Sequence, residues 1–386
     1  MKVLVTGGAG FIGSHTVDLL LSKGYEVKVL DILQPRVHPY GKPEYLSPEV
    51  EFIQGDVSDK SMLEKAMSDI NGVFHLAAYQ DYMTDFSNFI KINSYSTALI
   101  FEIIVEKKLD IKKIVLASSQ SVYGEGKYQC KVHGIQYPEP RSREQLDKSD
   151  WEMHCAFKDC TNYLEPVLID EAVINPFTAY GISKECLERL ASKLGRRYSI
   201  PTVSMRYSIV QGPRNSFFNA YSGVCRIFTL RLINDKPPVI YEDGNQLRDY
   251  LHVLDVAEAN VAAFENSGAD YGALNVGGVE GIKLIDYTKT LTKVLNKKIE
   301  PLIPGYYRFG DTRHTVSTSE KLKKLGWKNK RTLEDIFRDY VEWVHKQPDV
   351  KDRYEEVERI MKEQNRRPTG GDFVLASARL WALREH

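Results

Sequence analysis

The 386-residue chain has no excess of charge of either sign, with 52 Lys and Arg against 52 Asp and Glu. That excludes the basic footprint with which a protein neutralises nucleic-acid phosphates, so no nucleic-acid partner is expected. The chain lacks any apolar run of membrane-spanning length, and no membrane partner is expected either. Cysteine is scarce and odd in number, five in all, which speaks against a disulfide framework. The first residues carry no secretory-leader pattern, so the expected location is cytoplasmic. No internal repeat is visible, and the length suits two domains or one domain with insertions.

What is present begins at once. Val3, Leu4 and Val5 run into Gly7, and a helical pattern opens at about Phe11. Gly7, Gly10 and Gly13 stand at the spacing G-x-x-G-x-x-G, which suits a tight turn, close approach to a pyrophosphate, and close packing of helix on strand. The helix start offers unpaired N–H groups and the positive end of a dipole to that anion. Asp31 ends the next apolar run, 18 positions after Gly13. A carboxylate there accepts from a ribose 2′-OH and repels a 2′-phosphate, so NAD is expected rather than NADP.

Apolar strands at about 27–30, 50–54, 72–77, 113–117 and 202–207 alternate with helices at about 11–23, 60–70, 87–107 and 177–198. That order predicts an α/β fold with a parallel, doubly wound sheet. Leu76, Ala77 and Ala78 leave room for a dinucleotide at the carboxyl edge of such a sheet. Short strands at 239–241 and 274–276, with helices at about 223–234, 255–267, 284–295 and 332–346, predict a smaller α/β lobe. Tyr180 and Lys184 lie at i and i+4 on one helix and share a face. An ammonium beside a phenol favours the phenolate, and such a phenolate takes a proton from a sugar hydroxyl while hydride leaves the same carbon. Ser119, at the end of a strand, is placed to donate a hydrogen bond to the same oxygen.

These motifs, with Gly55-Asp56, His75 through Ala78, Asn93, Ser119 through Gly124, Gly212-Pro213-Arg214, Gln246 through Tyr250 and Arg308 through Asp311, resemble the extended short-chain dehydrogenase/reductases of the NAD-dependent nucleotide-sugar epimerase/dehydratase family. The resemblance spans residues 1–346 with an insertion, and it is strongest toward the 4-epimerases. It implies a Rossmann fold and catalysis by Ser119, Tyr180 and Lys184. It also implies NAD contacts from Gly7, Gly10, Phe11, Ile12, Gly13, Asp31, Asp56, Val57, Leu76, Ala77, Ala78 and Asn93, with Tyr180 and Lys184. Substrate contacts would come from Gln120, Ser121, Asn219, Tyr241, Arg248 and Arg308, the two arginines clamping a nucleotide diphosphate, for which a guanidinium is well shaped.

Dehydrating relatives carry acidic residues after the serine or threonine; Gln120 and Ser121 cannot serve as acids. C4 epimerisation of a nucleotide diphosphate sugar through a transient 4-keto sugar is therefore expected. A net dehydrogenase or 4-ketoreductase, or a non-catalytic dinucleotide sensor, stays open. Ile209 stands where the family often has an asparagine, which points to a less polar, deoxy sugar.

Ser119 and Tyr180 are 61 positions apart, and the stretch between them is polar and without period. It holds Cys130-x-x-His133 and Cys155-x-x-x-x-Cys160, two pairs that predict a ribbon-like structural zinc site, with His154 as an alternative ligand. The module resembles an insertion in some 4-epimerases of the family, as do the neighbouring Pro140-Arg141-Ser142 and Asp150-Trp151-Glu152. The expected organisation is an NAD-binding domain of 1–124 with 172–210, an inserted zinc module of 125–171, a substrate lobe of 211–346, and a helical tail of 347–386. Apolar stripes on the helices at 87–107 and 180–198, which form a dimer interface in this family, make a homodimer the expectation.

Overall fold

The computed structural model describes residues 1–81, 84–218, 223–278, 280–348, 350–352, 354–355 and 359. Asn219 and most of the tail after residue 347, where a helix is expected, lie outside them.

Buried β-branched runs set the sheet. β1 (Lys2–Thr6) and β2 (Glu26–Asp31) pair in parallel, Val3 against Val27 and Val5 against Val29. Between them α1 (Phe11–Ser22) starts directly after Gly10. β3 (Glu51–Gln54) follows, then α2 (Lys60–Met67), whose N-cap Asp59 accepts from the N–H groups of Ser61 and Met62. β4 (Gly72–His75) stops two residues earlier than its apolar run.

The single helix expected at 87–107 is three pieces: α3 (Phe86–Phe89), a π-helical turn (Ile90–Tyr95) and α4 (Ser96–Lys107). The wide turn brings Asn93 and Ser94 inward. Asn93 accepts from the Tyr79 N–H (2.8 Å) and donates to Ser183 Oγ (2.9 Å), while the Ser94 hydroxyl donates to the Ser183 carbonyl (2.8 Å). A π-bulge at a functional site is a familiar pattern, and 3.6-residue periodicity gives no warning of it.

β5 (Lys113–Ser119) leads into the insertion. There β6 (Tyr128–Cys130), β7 (Gly134–Gln136), a short α5 (Arg143–Asp147) and β8 (Glu165–Pro166) give a small antiparallel sheet in the order β7-β6-β8. α6 (Ala179–Arg197) is capped by Thr178, whose side chain accepts from the Gly181 N–H. β9 (Thr202–Tyr207) returns to the main sheet.

The second lobe contains β10 (Ile209–Gln211), α7 (Gly223–Ile233), β11 (Leu247–Arg248), β12 (Tyr250–His252) and α8 (Val253–Glu265). β13 (Gly272–Val276) rejoins the main sheet before β14 (Ile282–Lys283), α9 (Leu284–Val294), α10 (Glu320–Lys324) and α11 (Leu333–His345). Residues 239–241 make an isolated bridge, Val239 to Leu302, rather than the expected strand.

The main sheet is parallel, in the order β13-β9-β5-β4-β1-β2-β3. One apolar cluster, including Val5, Val29 and Phe74, covers one face, and another, including Leu4, Leu30 and Ile114, covers the other. Strand order reverses between β1 and β4, where a doubly wound sheet opens a crevice at its carboxyl edge.

Candidate active site

A cavity of about 1230 Å³ follows that edge, from Gly7 and Asp31 past Ser119 and Tyr180 to Arg248 and Arg308. At its start the β1–α1 turn is closed by glycine. Gly7 has φ +69°, and a Cβ there would sit 2.7 Å from the Ala77 nitrogen. A Cβ on Gly13 would overlap the Gly7 carbonyl oxygen. No side chain caps α1, and Gly10, Phe11, Ile12 and Gly13 line the cavity. The turn is thus an anion cradle with donors and no competing side chain.

Asp31 lines the same end, its carboxylate oriented by the N–H groups of Ala9 (3.0 Å) and Leu33 (2.8 Å). Asp56, fixed by the Ser58 N–H and hydroxyl (both 2.8 Å), lines it with Val57, Leu76, Ala77 and Ala78. Asn93 is fully buried and does not belong to the wall. Its amide is bonded to Tyr79 and Ser183 and braces the loop after β4 against α6.

Tyr180 sits in the first turn of α6, half-buried, with the Phe89 ring 6.5 Å away. Lys184, one turn on, is buried and donates to the Ala117 carbonyl (2.6 Å), its ammonium 5.6 Å from the centre of the Tyr180 ring. Ser119 closes β5, accepting from the Ser121 N–H (3.1 Å). The electrostatics differ from the expectation of a phenol lowered by its lysine. Burial pushes Tyr180 up to about 12, with only the Ser119 hydrogen bond pulling it down. Burial also brings the Lys184 ammonium down to about 7, against the pull of Glu188. Desolvation outweighs pairing here because the lysine is itself out of water and turned to a backbone carbonyl.

Helix α6 is bolted to the sheet by a buried ion pair. Glu188 accepts from Arg206 through Nε (2.9 Å) and Nη2 (2.7 Å) and from the Ser118 hydroxyl (2.5 Å), and Arg206 also donates to the Tyr123 hydroxyl (2.9 Å).

Gln120, Ser121, Arg248 and Arg308 all line the cavity. Arg248 donates to the carbonyls of Leu247 (2.8 Å), Arg313 (2.8 Å) and Thr312 (2.5 Å). Arg308 donates from Nε to Asp311 (2.7 Å). Tyr241, expected at the nucleotide, is not in the wall: the segment is stitched to 302–306 by the Ile240 and Glu242 N–H groups, and the ring lies edge-on to Tyr306. Wall residues that sequence reasoning missed include Tyr79, Phe89, Phe177 and Thr312. Tyr79 directly follows Leu76-Ala77-Ala78 and was within reach; Phe177 and Thr312 come from loops whose destination no local pattern encodes.

In the insertion, Cys130, His133, Cys155 and Cys160 present ligand atoms within 4.8 Å of one another. Cys130 Sγ lies 3.8 Å from Cys160 Sγ and 3.7 Å from His133 Nδ1, and Cys155 Sγ lies 3.3 Å from the same nitrogen. A tetrahedral zinc with Zn–S near 2.3 Å has S–S edges of about 3.8 Å, so the donor set and its spacing fit that ion. Backbone N–H groups, His133 first, draw the Cys130 thiol down to about 6. The long second spacing is taken up by a loop whose Phe157 ring stacks on His133 (4.0 Å, 11°). His154 is not an alternative ligand: it pairs with Asp150 (2.6 Å) and is not part of the cluster.

A sequence profile of the NAD dependent epimerase/dehydratase family matches residues 3–143 and 155–277. The chain is 31% identical over 358 residues to a dTDP-L-rhamnose 4-epimerase of Burkholderia thailandensis, covering 91% of this chain and 96% of that one. A UDP-glucose 4-epimerase of Thermotoga maritima, solved with UDP-glucose, superposes with a TM-score of 0.72 at 30% identity over 90% of this chain and 99% of that one. A Thermus thermophilus UDP-glucose 4-epimerase, solved with NAD, gives 0.68 at 29% identity over 89% and 98%.

Proposed function

The chain belongs to the NAD dependent epimerase/dehydratase family, and on that premise we propose that it is an NAD-dependent nucleotide-sugar 4-epimerase. The observation that carries the reading is one cavity joining a glycine cradle, Ser119, Tyr180 and two arginines, with Lys184 buried behind the Tyr180 ring and Gln120 and Ser121 where an eliminating enzyme needs acids. The glycine turn, Asp31 and Asp56 would hold the dinucleotide, and Lys184 its nicotinamide ribose. NAD, when bound, supplies the acceptor and later donor of hydride at C4, and a positive charge that favours ionisation of the phenol beside it.

The rest is the work of side chains. Tyr180 takes the proton from the sugar 4-OH and returns it to the opposite alcohol. Ser119 donates a hydrogen bond to the same oxygen and steadies it as a carbonyl. Arg248 and Arg308 keep the diphosphate fixed while the planar 4-keto ring presents its other face. Ile209 in the wall offers no polar group, which suits a deoxyhexose on dTDP or UDP.

Residues 1–124 with 172–210 would serve NAD, 211–346 the substrate, and 125–171 a structural zinc held by Cys130, His133, Cys155 and Cys160. Four protein ligands leave such an ion no open position for chemistry. Exposed Phe86, Ile90, Tyr95 and Ile182 on neighbouring helices support a homodimer, and a cluster of free thiols suits a reducing cytoplasm.

The test is incubation with a panel of UDP- and dTDP-hexoses without added reductant, with C4 configuration read by proton NMR. Interconversion without lasting absorbance of reduced cofactor is expected. Net oxidation, or no change at C4 across the panel, rejects the reading.

A further inference from the structure

Two side chains of the insertion that catalysis leaves unused, Arg141 and Glu152, converge on residues 311–314 of the other lobe. Arg141 is buried and donates to the Trp151 carbonyl (2.9 Å), the Asp311 carbonyl (2.8 Å) and Glu242 (2.9 Å). Glu152 accepts from Arg313 Nε (3.1 Å) and Nη2 (2.5 Å) with one oxygen and meets His314 Nε2 (3.0 Å) with the other. His314 Nδ1 accepts from the Leu247 N–H (3.1 Å), which fixes the tautomer and leaves Nε2 to donate to Glu152. Arg313, wholly buried, also donates to Glu242 and Asp243 (both 2.8 Å).

The strap so gripped is what holds the cavity arginines. The Thr312 and Arg313 carbonyls accept from Arg248, and Asp311 accepts from Arg308. Insertion, strap and arginines form one chain of contacts. A guanidinium recognises a diphosphate by its fork geometry, so a small tilt of its support costs binding.

We propose that Arg141 and Glu152 are positioning residues: through the strap 311–314 the insertion keeps Arg248 and Arg308 set for the diphosphate of a nucleotide substrate. The ligand named here rests on the functional reading above; the clasp itself rests on geometry alone.

The test uses the full-length, NAD-loaded protein and Glu152→Gln. The side chain of Glu152 is 37% exposed, which makes this change gentler than any at Arg313. UDP and dTDP affinities are measured by calorimetry, kcat and KM by the NMR assay, and amide exchange across 245–250 and 310–316 by mass spectrometry. The expected result is about tenfold weaker diphosphate binding and a matching rise in KM, with kcat within about twofold. Bound NAD should be unchanged and strap exchange faster. Unchanged affinity and KM overturn the proposal, as does a fall in kcat together with loss of NAD, which marks general destabilisation. If the parent binds neither diphosphate, the functional reading fails and the ligand half of the proposal with it. Exchange then judges the clasp: unchanged exchange overturns it as well.

Discussion

The main sheet and the insertion are held by different forces. On the dinucleotide side, Val3, Val5, Val29 and Phe74 on one face and Leu4, Leu30 and Ile114 on the other bury a continuous apolar core. The insertion has a small cluster around Tyr128, Met153 and Leu164, and is otherwise secured by thiols, an imidazole and buried charges. Apolar packing is graded, since each methylene contributes a little. A metal site or a buried ion pair is close to all-or-none, because one missing partner strands the others. Damage to the insertion should therefore come in steps, and damage to the sheet by degrees.

The largest expected effect breaks the comparison at the proposed zinc site. Cys130→Ser should strip zinc and forfeit stabilisation on the order of 10 kcal/mol from the insertion. The sheet side should still bind NAD. Metal analysis beside a melt of the NAD-loaded protein checks it; a parent free of zinc after chelator-free purification, with the variant melting alike, contradicts it.

Next, Glu188→Ala places an insertion-type failure inside the apolar half. It leaves Arg206 buried without its carboxylate, at an expected cost of about 3–5 kcal/mol in urea unfolding. A loss typical of an exposed pair would show that the sheet side tolerates stranded charge.

The smaller effect sharpens the insertion side. Glu125 is buried, one oxygen accepting from the Arg313 N–H (2.9 Å) and the other without a partner, and burial raises it from 4.5 to about 7. Its folded pKa exceeds the unfolded one, so the stability it contributes is complete below about 4.5 and is lost as pH rises through 7. Glu125→Gln should flatten that decline, by about 3 kcal/mol between the limits. A variant whose stability falls with pH as steeply as the parent contradicts the assignment.

The sheet was legible because its information is local and periodic: Val3 to Val5, Gly7 to Gly13 and Asp31 each declare a role within a few residues. The Tyr180 and Lys184 pairing was legible as helical spacing, yet the electrostatics were not. The lysine turns to the Ala117 carbonyl, and burial dominates both groups. The inward turn of Asn93 onto Tyr79 and Ser183 was not legible, because the π-turn that carries it is invisible to periodicity. The place of Tyr241 outside the wall was not legible, because its segment pairs with residues some 60 positions away. Arg141 and Glu152 stood out as residues but not as a clasp. Their partners at 242, 311, 313 and 314 are fixed only by the fold.

The proposed reaction depends on the Tyr180 phenol taking the sugar proton. The direct measurement is single-turnover C4 epimerisation by Tyr180→Phe protein with its NAD content and melting matched to the parent. A rate lower by about a thousandfold is expected. Turnover at the parent rate would contradict it.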